Sequence, residues 1–176
     1  MPTLEPDRFK EVMRTWAAGV GVVTSRLGDE IHGCTVNSFT SVSLTPPLVT
    51  LALAKRLHTY RLIKQSHVFA FNILGEHQLE TSDRFAGTAR IRTGGISESE
   101  ERFAAEPYHA EVTGSPVLDA AVAFVDCHVV TEYDIGINVL LLGMVEAGAV
   151  QNAQPPLLYG DRRYWKLGTL IEEKAL

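Results

Sequence analysis

The chain has 176 residues, 45% hydrophobic and 21% charged, which excludes intrinsic disorder, and its two cysteines are too few for a disulfide framework. A net charge of -5 argues against a dedicated nucleic-acid binder. With no apolar run of about 18 residues and with Glu5, Asp7, Arg8 and Lys10 near its start, the chain is expected to be soluble, cytoplasmic and one domain over residues 1–176.

Phe9, Val12, Met13 and Trp16 recur at helical spacing and predict an amphipathic helix over 5–18, its apolar face packed on the body of the protein. Gly19 to Thr24 reads as a strand, and Asp29 as a turn. One long strand is expected from Ile31 to Leu44, stopped by Pro46-Pro47, because proline cannot donate to a ladder. Leu48–Ala54 and Val68–Leu74 read as buried strands, with helices at 59–65 and about 76–86. Residues 87–116 form a long excursion, in which Ser97 to Glu101 suits either a gate or a solvated cap. Strands resume at about 121–132 and 138–150, a short pair brackets Gly160-Asp161, and Glu172–Lys174 is expected to fray. Strands joined mostly by turns, with few peripheral helices, point to a closed antiparallel barrel. A doubly wound sheet would need strict strand–helix alternation.

Charge is unevenly spread. Residues 1–88 carry nine basic and eight acidic groups, and residues 89–176 carry seven and thirteen. Between Glu30 and Glu76 there is no carboxylate, while Lys55, Arg56, Arg61, Lys64 and three histidines fall there. Such a segment is either mostly buried strand or a site for a small anion such as a phosphate.

The six histidines form no HxxxH pair and the cysteines no CxxC, and Cys127 and His128 point to opposite faces of a strand, so no metal site is expected. No Gly-x-Ser-x-Gly elbow or P-loop occurs. The unusual feature is the polar content of the 31–44 strand: Thr35, Asn37, Ser38, Thr40, Ser41 and Ser43. Strict alternation would put Thr35, Asn37, Phe39, Ser41 and Ser43 on one face. That face suits a flat heteroaromatic ring with carbonyl and NH groups, or else it is an exposed edge strand.

The segment Gly33-Cys-Thr-Val-Asn-Ser-Phe-Thr-Ser-Val-Ser-Leu-Thr-Pro-Pro-Leu48 resembles the signature of the short-chain flavin reductases, the NAD(P)H:flavin oxidoreductase components of two-component monooxygenases. Gly19–Thr24, Phe69–Leu74, Arg84–Gly87, Gly114–Leu118 and the Leu158-Tyr159 and Tyr164 region match in order, over roughly residues 8–168. The resemblance implies a six-stranded antiparallel FMN-binding split barrel with flanking helices, working as a homodimer. It implies FMN or FAD as flavin, NADH or NADPH as co-substrate, and an oxygenase that receives reduced flavin. Ring and ribityl contacts carry over to Thr35, Asn37, Ser38 and Ser41, phosphate contacts to Lys55 and Thr59, and further flavin contacts to Arg84 and Phe85.

Two departures stand out. Leu57 replaces a serine common after the basic position, and Asn138 stands where such reductases commonly carry a histidine near the nicotinamide. Asn138 can hydrogen-bond a carboxamide but cannot titrate, and no residue is assigned with certainty as catalytic. The alternatives are a split barrel whose tightly bound flavin reduces a corrinoid or metal centre, and a non-catalytic flavin-binding barrel.

Overall fold

The structure is a computed structural model that describes residues 4–87 and 99–170. The excursion's residues 88–98, Ser97 and Glu98 among them, and the C-terminal residues 171–176 lie outside the described residues. Four helices are described: α1 (Pro6–Arg14), α2 (His58–Ser66), α3 (Leu79–Ala86) and α4 (Ser99–Ala104). The first seven strands to be labelled run as β1 (Ala18–Gly19), β2 (Gly21–Leu27), β3 (Glu30–Val36), β4 (Phe39–Leu44), β5 (Pro47–Ala54), β6 (Val68–Ile73) and β7 (Tyr108–Ala110). They are followed by β8 (Pro116–Leu118), β9 (Ala123–Ile135), β10 (Asn138–Val150), β11 (Leu158–Gly160) and β12 (Arg163–Trp165).

The main sheet is antiparallel with strand order β3-β2-β6-β9-β10-β5-β4. It is mainly β with flanking helices, as expected of a split barrel. The strand count is seven where six were expected, because the 31–44 stretch is broken at Asn37-Ser38 into β3 and β4, which form the sheet's two edges. Among the described residues β1, β11 and β12 form a small second sheet, and β7 and β8 a hairpin-like pair.

β2 separates two cores. Val23 packs with Val49, Leu51, Phe69, Phe71 and Leu141, while its neighbour Val22 packs with Leu74, Phe85, Leu118 and Leu157. Alternation along a strand sends successive side chains to opposite faces, so covering both faces requires the apolar run at 20–23. Each such side chain contributes about 1.5–3 kcal/mol on burial. The helices α3 and α4 close the second core through Phe85 and Phe103, whose rings meet edge to face at 5.1 Å.

The break at 37–38 also reverses which side chains face inward. Cys34 and Val36 lie on the first core from β3; beyond the bend Phe39 does, stacked on Phe71. Cross-strand partners share a face, so Phe39 and Ser41 follow Leu51 and Val49, and a bulge then pairs Ser43 with Leu48 instead. The odd positions 35–43 therefore do not share one face. A one-residue change of phase flips every later side chain.

α1 begins with Pro6, carries Asp7 in its first turn and Arg14 in its last, and these suit the helix dipole. It is shorter than the predicted 5–18: the Thr15 and Trp16 N–H groups donate three residues back, to Val12 O at 3.1 Å and Met13 O at 3.2 Å, and the α-helical ladder ends there. Its apolar face does not pack on the barrel as expected. Phe9, Val12, Met13 and Trp16 are 55%, 53%, 46% and 70% exposed.

Candidate functional site

The bend leaves Thr35, Val36 and Asn37 along a cavity of about 230 Å³, closed by Val20, Ala86, Tyr159 and Tyr164. Asn37 and Tyr159 also line a neighbouring hollow of about 290 Å³, which adds Lys10, Arg14, Trp16 and Arg162. The two hollows, together the groove, adjoin at Asn37 and Tyr159; tyrosines wall the first, and the second sets Lys10, Arg14 and Arg162 beside Asp161. The aromatic wall is fixed: the Tyr159 and Tyr164 rings meet at 5.3 Å and 67°. Buried Ser82 on α3 anchors both sides, with its carbonyl accepting the Thr35 hydroxyl at 2.7 Å and its own hydroxyl 3.0 Å from Tyr164 Oη. The amide of Asn37 is exposed and makes no hydrogen bond among the described residues.

A further cavity of about 390 Å³ is lined by Lys55, Tyr60, Arg61, Lys64, Glu132 and Asp134. Lys55 Nζ lies 2.5 Å from Asp134 Oδ2, and Tyr60 Oη donates to Glu132 Oε2 at 3.1 Å. The hydrogen bond from Lys55, with another from the Gly136 N–H, holds the Asp134 carboxyl below the usual range. Burial, then the bond to Glu132, pushes the Tyr60 phenol up.

Groove and cation cavity are joined by the chain itself. The Ser38 hydroxyl donates to Ala52 O at 2.7 Å, and Ala52 N–H donates to Ser38 O at 3.4 Å. Ala52, on β5, precedes Lys55 by three residues, and Lys55 follows the strand's last residue, so roughly 10 Å of chain separates the bend from the lysine. Asn138 lies at the same end as Lys55. It opens β10 opposite Ala54, after a two-residue connection in which Gly136 has φ +79°, and the Lys55 N–H donates to Ile137 O at 3.0 Å.

Of the residues expected at the site, Thr35 and Asn37 meet in the groove and Lys55 lines the cation cavity, while Asn138 pairs opposite Ala54 without lining either one. Ser38 sits at the bend and Ser41 is exposed on β4. Thr59 is fully buried with its hydroxyl 2.7 Å from His32 Nδ1, away from the cavity that Lys55 lines. Burial, and then the charges of Arg102, His58 and Arg61, bring His32 down to about 4. Arg84 pairs with Glu106 at 2.5 Å, and Phe85 is 1% exposed. Gly33 makes room for that ring, since a Cβ there would come within 2.9 Å of Phe85 Cε1. Neither Arg84 nor Phe85 lines the groove, where their neighbour Ala86 does.

Sequence reasoning missed Tyr159, Tyr164 and the cations Lys10, Arg14 and Arg162 as groove residues. The available signal was the turn at Gly160-Asp161, where Asp161 and Arg162 take left-handed φ of 47° and 60° and Asp161 N–H binds Arg14 O at 2.9 Å.

The profile described as flavin reductase like domain matches residues 13–168. The chain belongs to the flavin reductase-like domain family. It is 33% identical over 157 residues to the actinorhodin polyketide dimerase of Streptomyces coelicolor, covering 89% of this chain and 83% of that one. It is 32% identical over 161 residues to the reductase component of the 4-hydroxyphenylacetate 3-monooxygenase of Thermus thermophilus, covering 92% and 96%. The solved NADH:FAD oxidoreductase SgcE6 of Streptomyces globisporus, in complex with NAD and FAD fragments, superposes with a TM-score of 0.82 at 26% identity. That match covers 98% of this chain and 100% of the other. The family therefore accounts for the barrel. Among the described residues no helix is long and apolar enough to cross a membrane.

Proposed function

We propose that this flavin reductase-like chain is an NAD(P)H:flavin oxidoreductase that reduces FMN or FAD and supplies the reduced flavin to a partner monooxygenase. One observation carries the reading: a groove with two tyrosines on one wall and the uncommitted amide of Asn37 on the other, in a chain of this family. The residues fit a flavin. A planar ring needs apolar walls and a few edge-on hydrogen-bonding groups, and its phosphate needs cations within reach. Both kinds of surface lie at the two ends of the 37–55 stretch.

When flavin and nicotinamide are bound, the chemistry they supply is hydride transfer from one to the other. The chain's part is to bind and orient. Tyr159 and Tyr164 exclude water from one side of the groove. Asn37 donates to and accepts from the ring's polar edge, and the Thr35 hydroxyl, pinned by Ser82, offers a lone pair there. Ser38, at the bend, and Ser41, exposed on β4, would meet the ribityl chain, and Lys55, with Arg61 and Lys64, would take the phosphate. Asn138, at the Lys55 end, can hydrogen-bond a nucleotide there but moves no proton. Thr59, through His32, and Arg84 and Phe85, through α3, position these elements instead of touching the ligand.

The same reading has the chain act as one domain over 1–176 and as a homodimer. The uncovered α1 face of Phe9, Val12, Met13 and Trp16 supports the second of these. A cytoplasmic setting is supported by Cys34 and Cys127, both buried and unpaired. Steady-state oxidation of NADH or NADPH with rising free FMN or FAD tests the function. Saturable dependence on free flavin is expected; no nicotinamide oxidation with either flavin would refute it. Flavin that co-elutes on gel filtration, with added flavin left unturned, would instead favour a resident prosthetic group.

A further inference from the structure

The cation cavity contains its own anion. Asp134 is the penultimate residue of β9, just before the two-residue turn, where the Gly136 N–H donates to its Oδ1 at 3.1 Å while its Oδ2 lies 2.5 Å from Lys55 Nζ. One carboxylate oxygen is thus held by the backbone and the other is given to the lysine. Lys55 is 33% exposed and Asp134 74%, so the carboxylate sits on the solvent side of the cation. Glu132, two residues earlier on the same strand face, is engaged by Tyr60. Among the described residues Arg61 and Lys64 have no carboxylate within ion-pair distance, although both line the cavity with Lys55.

We infer that Asp134 is a resident counterion that competes with a ligand's phosphate for Lys55, so that it sets how strongly this chain prefers a phosphorylated flavin over an unphosphorylated one. The inference rests on the reading above that Lys55 takes the flavin phosphate. The physical argument is one of exchange. An ion pair so open to water is weak and screened, so opening it costs little. A phosphate brings about two negative charges and three acceptor oxygens, and two further cations stand beside Lys55 to share them. While Asp134 stays in place, the approaching dianion meets like charge, which lowers its net gain. An unphosphorylated flavin has nothing to exchange and is indifferent to residue 134.

Asp134→Asn removes the charge and keeps an oxygen for the Gly136 N–H, so the turn is retained. Fluorescence titrations with FMN and with riboflavin would be run on the full chain, on D134N and on Lys55→Met. The expected result is that D134N binds FMN about 3- to 10-fold tighter with riboflavin unchanged, while K55M erases the preference for FMN. If K55M erases that preference but D134N leaves the FMN-to-riboflavin ratio unchanged or lowers it, the counterion role is overturned and the phosphate placement stands. If K55M leaves the ratio unchanged, the placement at Lys55 falls and the counterion role falls with it.

Discussion

The ring of Phe39 lies against that of Phe71, with centroids 3.9 Å apart and planes within 4° of parallel. This contact ties the first residue of edge strand β4 to β6, a strand with which β4 shares no ladder. It holds the chain just after the bend, and so determines where Asn37 stands in the groove. Phe39→Ala is expected to cost about 2–3 kcal/mol of stability and to weaken flavin binding, whereas Phe39→Leu should keep most of both. Urea unfolding paired with flavin titration checks this; a stable F39A protein with normal affinity would separate the stack from the site.

His32 gives the fold a pH dependence of definite sign. Its folded pKa of about 4 lies below its ordinary 6.5, so between these values the unfolded chain binds more protons. Stability is complete above pH 6.5 and falls as the pH drops towards 4. The ring is partly exposed, and solvent screening limits its share to about 1–2 kcal/mol. Urea midpoints at about pH 7.5 and about pH 5.5 (one unit either side of an ordinary histidine) should differ less in His32→Asn than in the natural chain.

Glu106 accepts from Arg84 Nη1 at 2.5 Å and from Thr81 Oγ1 at 2.7 Å, and it is buried. Glu106→Gln leaves the guanidinium uncompensated and should destabilise by about 2–3 kcal/mol, read as a lowered Tm. Because α3 carries Ala86 and Ser82 to the groove, flavin affinity should fall in step.

Asn138→His introduces a titrating group beside the hairpin turn. Nicotinamide-dependent flavin reduction in N138H should acquire a pH dependence centred about the ordinary histidine pKa of 6.5 that the natural chain lacks. Rate–pH profiles of the two proteins decide it; superimposable profiles would remove Asn138 from the nicotinamide's surroundings.

Much of the architecture was legible because it is local. The β9–β10 hairpin, the short β11–β12 pair and the strands at 47–54 and 68–73 follow from alternation and turn residues. The phase reversal was not, because neither the bend at Asn37-Ser38 nor the bulge between Ser41 and Ser43 carries a glycine or proline to announce it. Periodicity identified the apolar face of α1 but contains no information on what covers it. Phe85 lies inside a matched segment and Thr59 outside them all, yet their side chains are taken by Phe103 and by His32, partners 18 and 27 residues away. Which way a hydroxyl or a ring turns is decided by such distant partners, and so a site residue cannot be distinguished from its support by its place in a motif alone.

The proposed transfer of reducing equivalents runs from a nicotinamide nucleotide to a flavin held at the Asn37 groove. Anaerobic stopped-flow mixing of flavin-loaded protein with NADH, and separately with NADPH, tests it most directly. The visible absorbance of oxidised flavin is expected to be lost with at least one of them, and more slowly in Asn37→Leu. Flavin that stays oxidised with both nucleotides would contradict it.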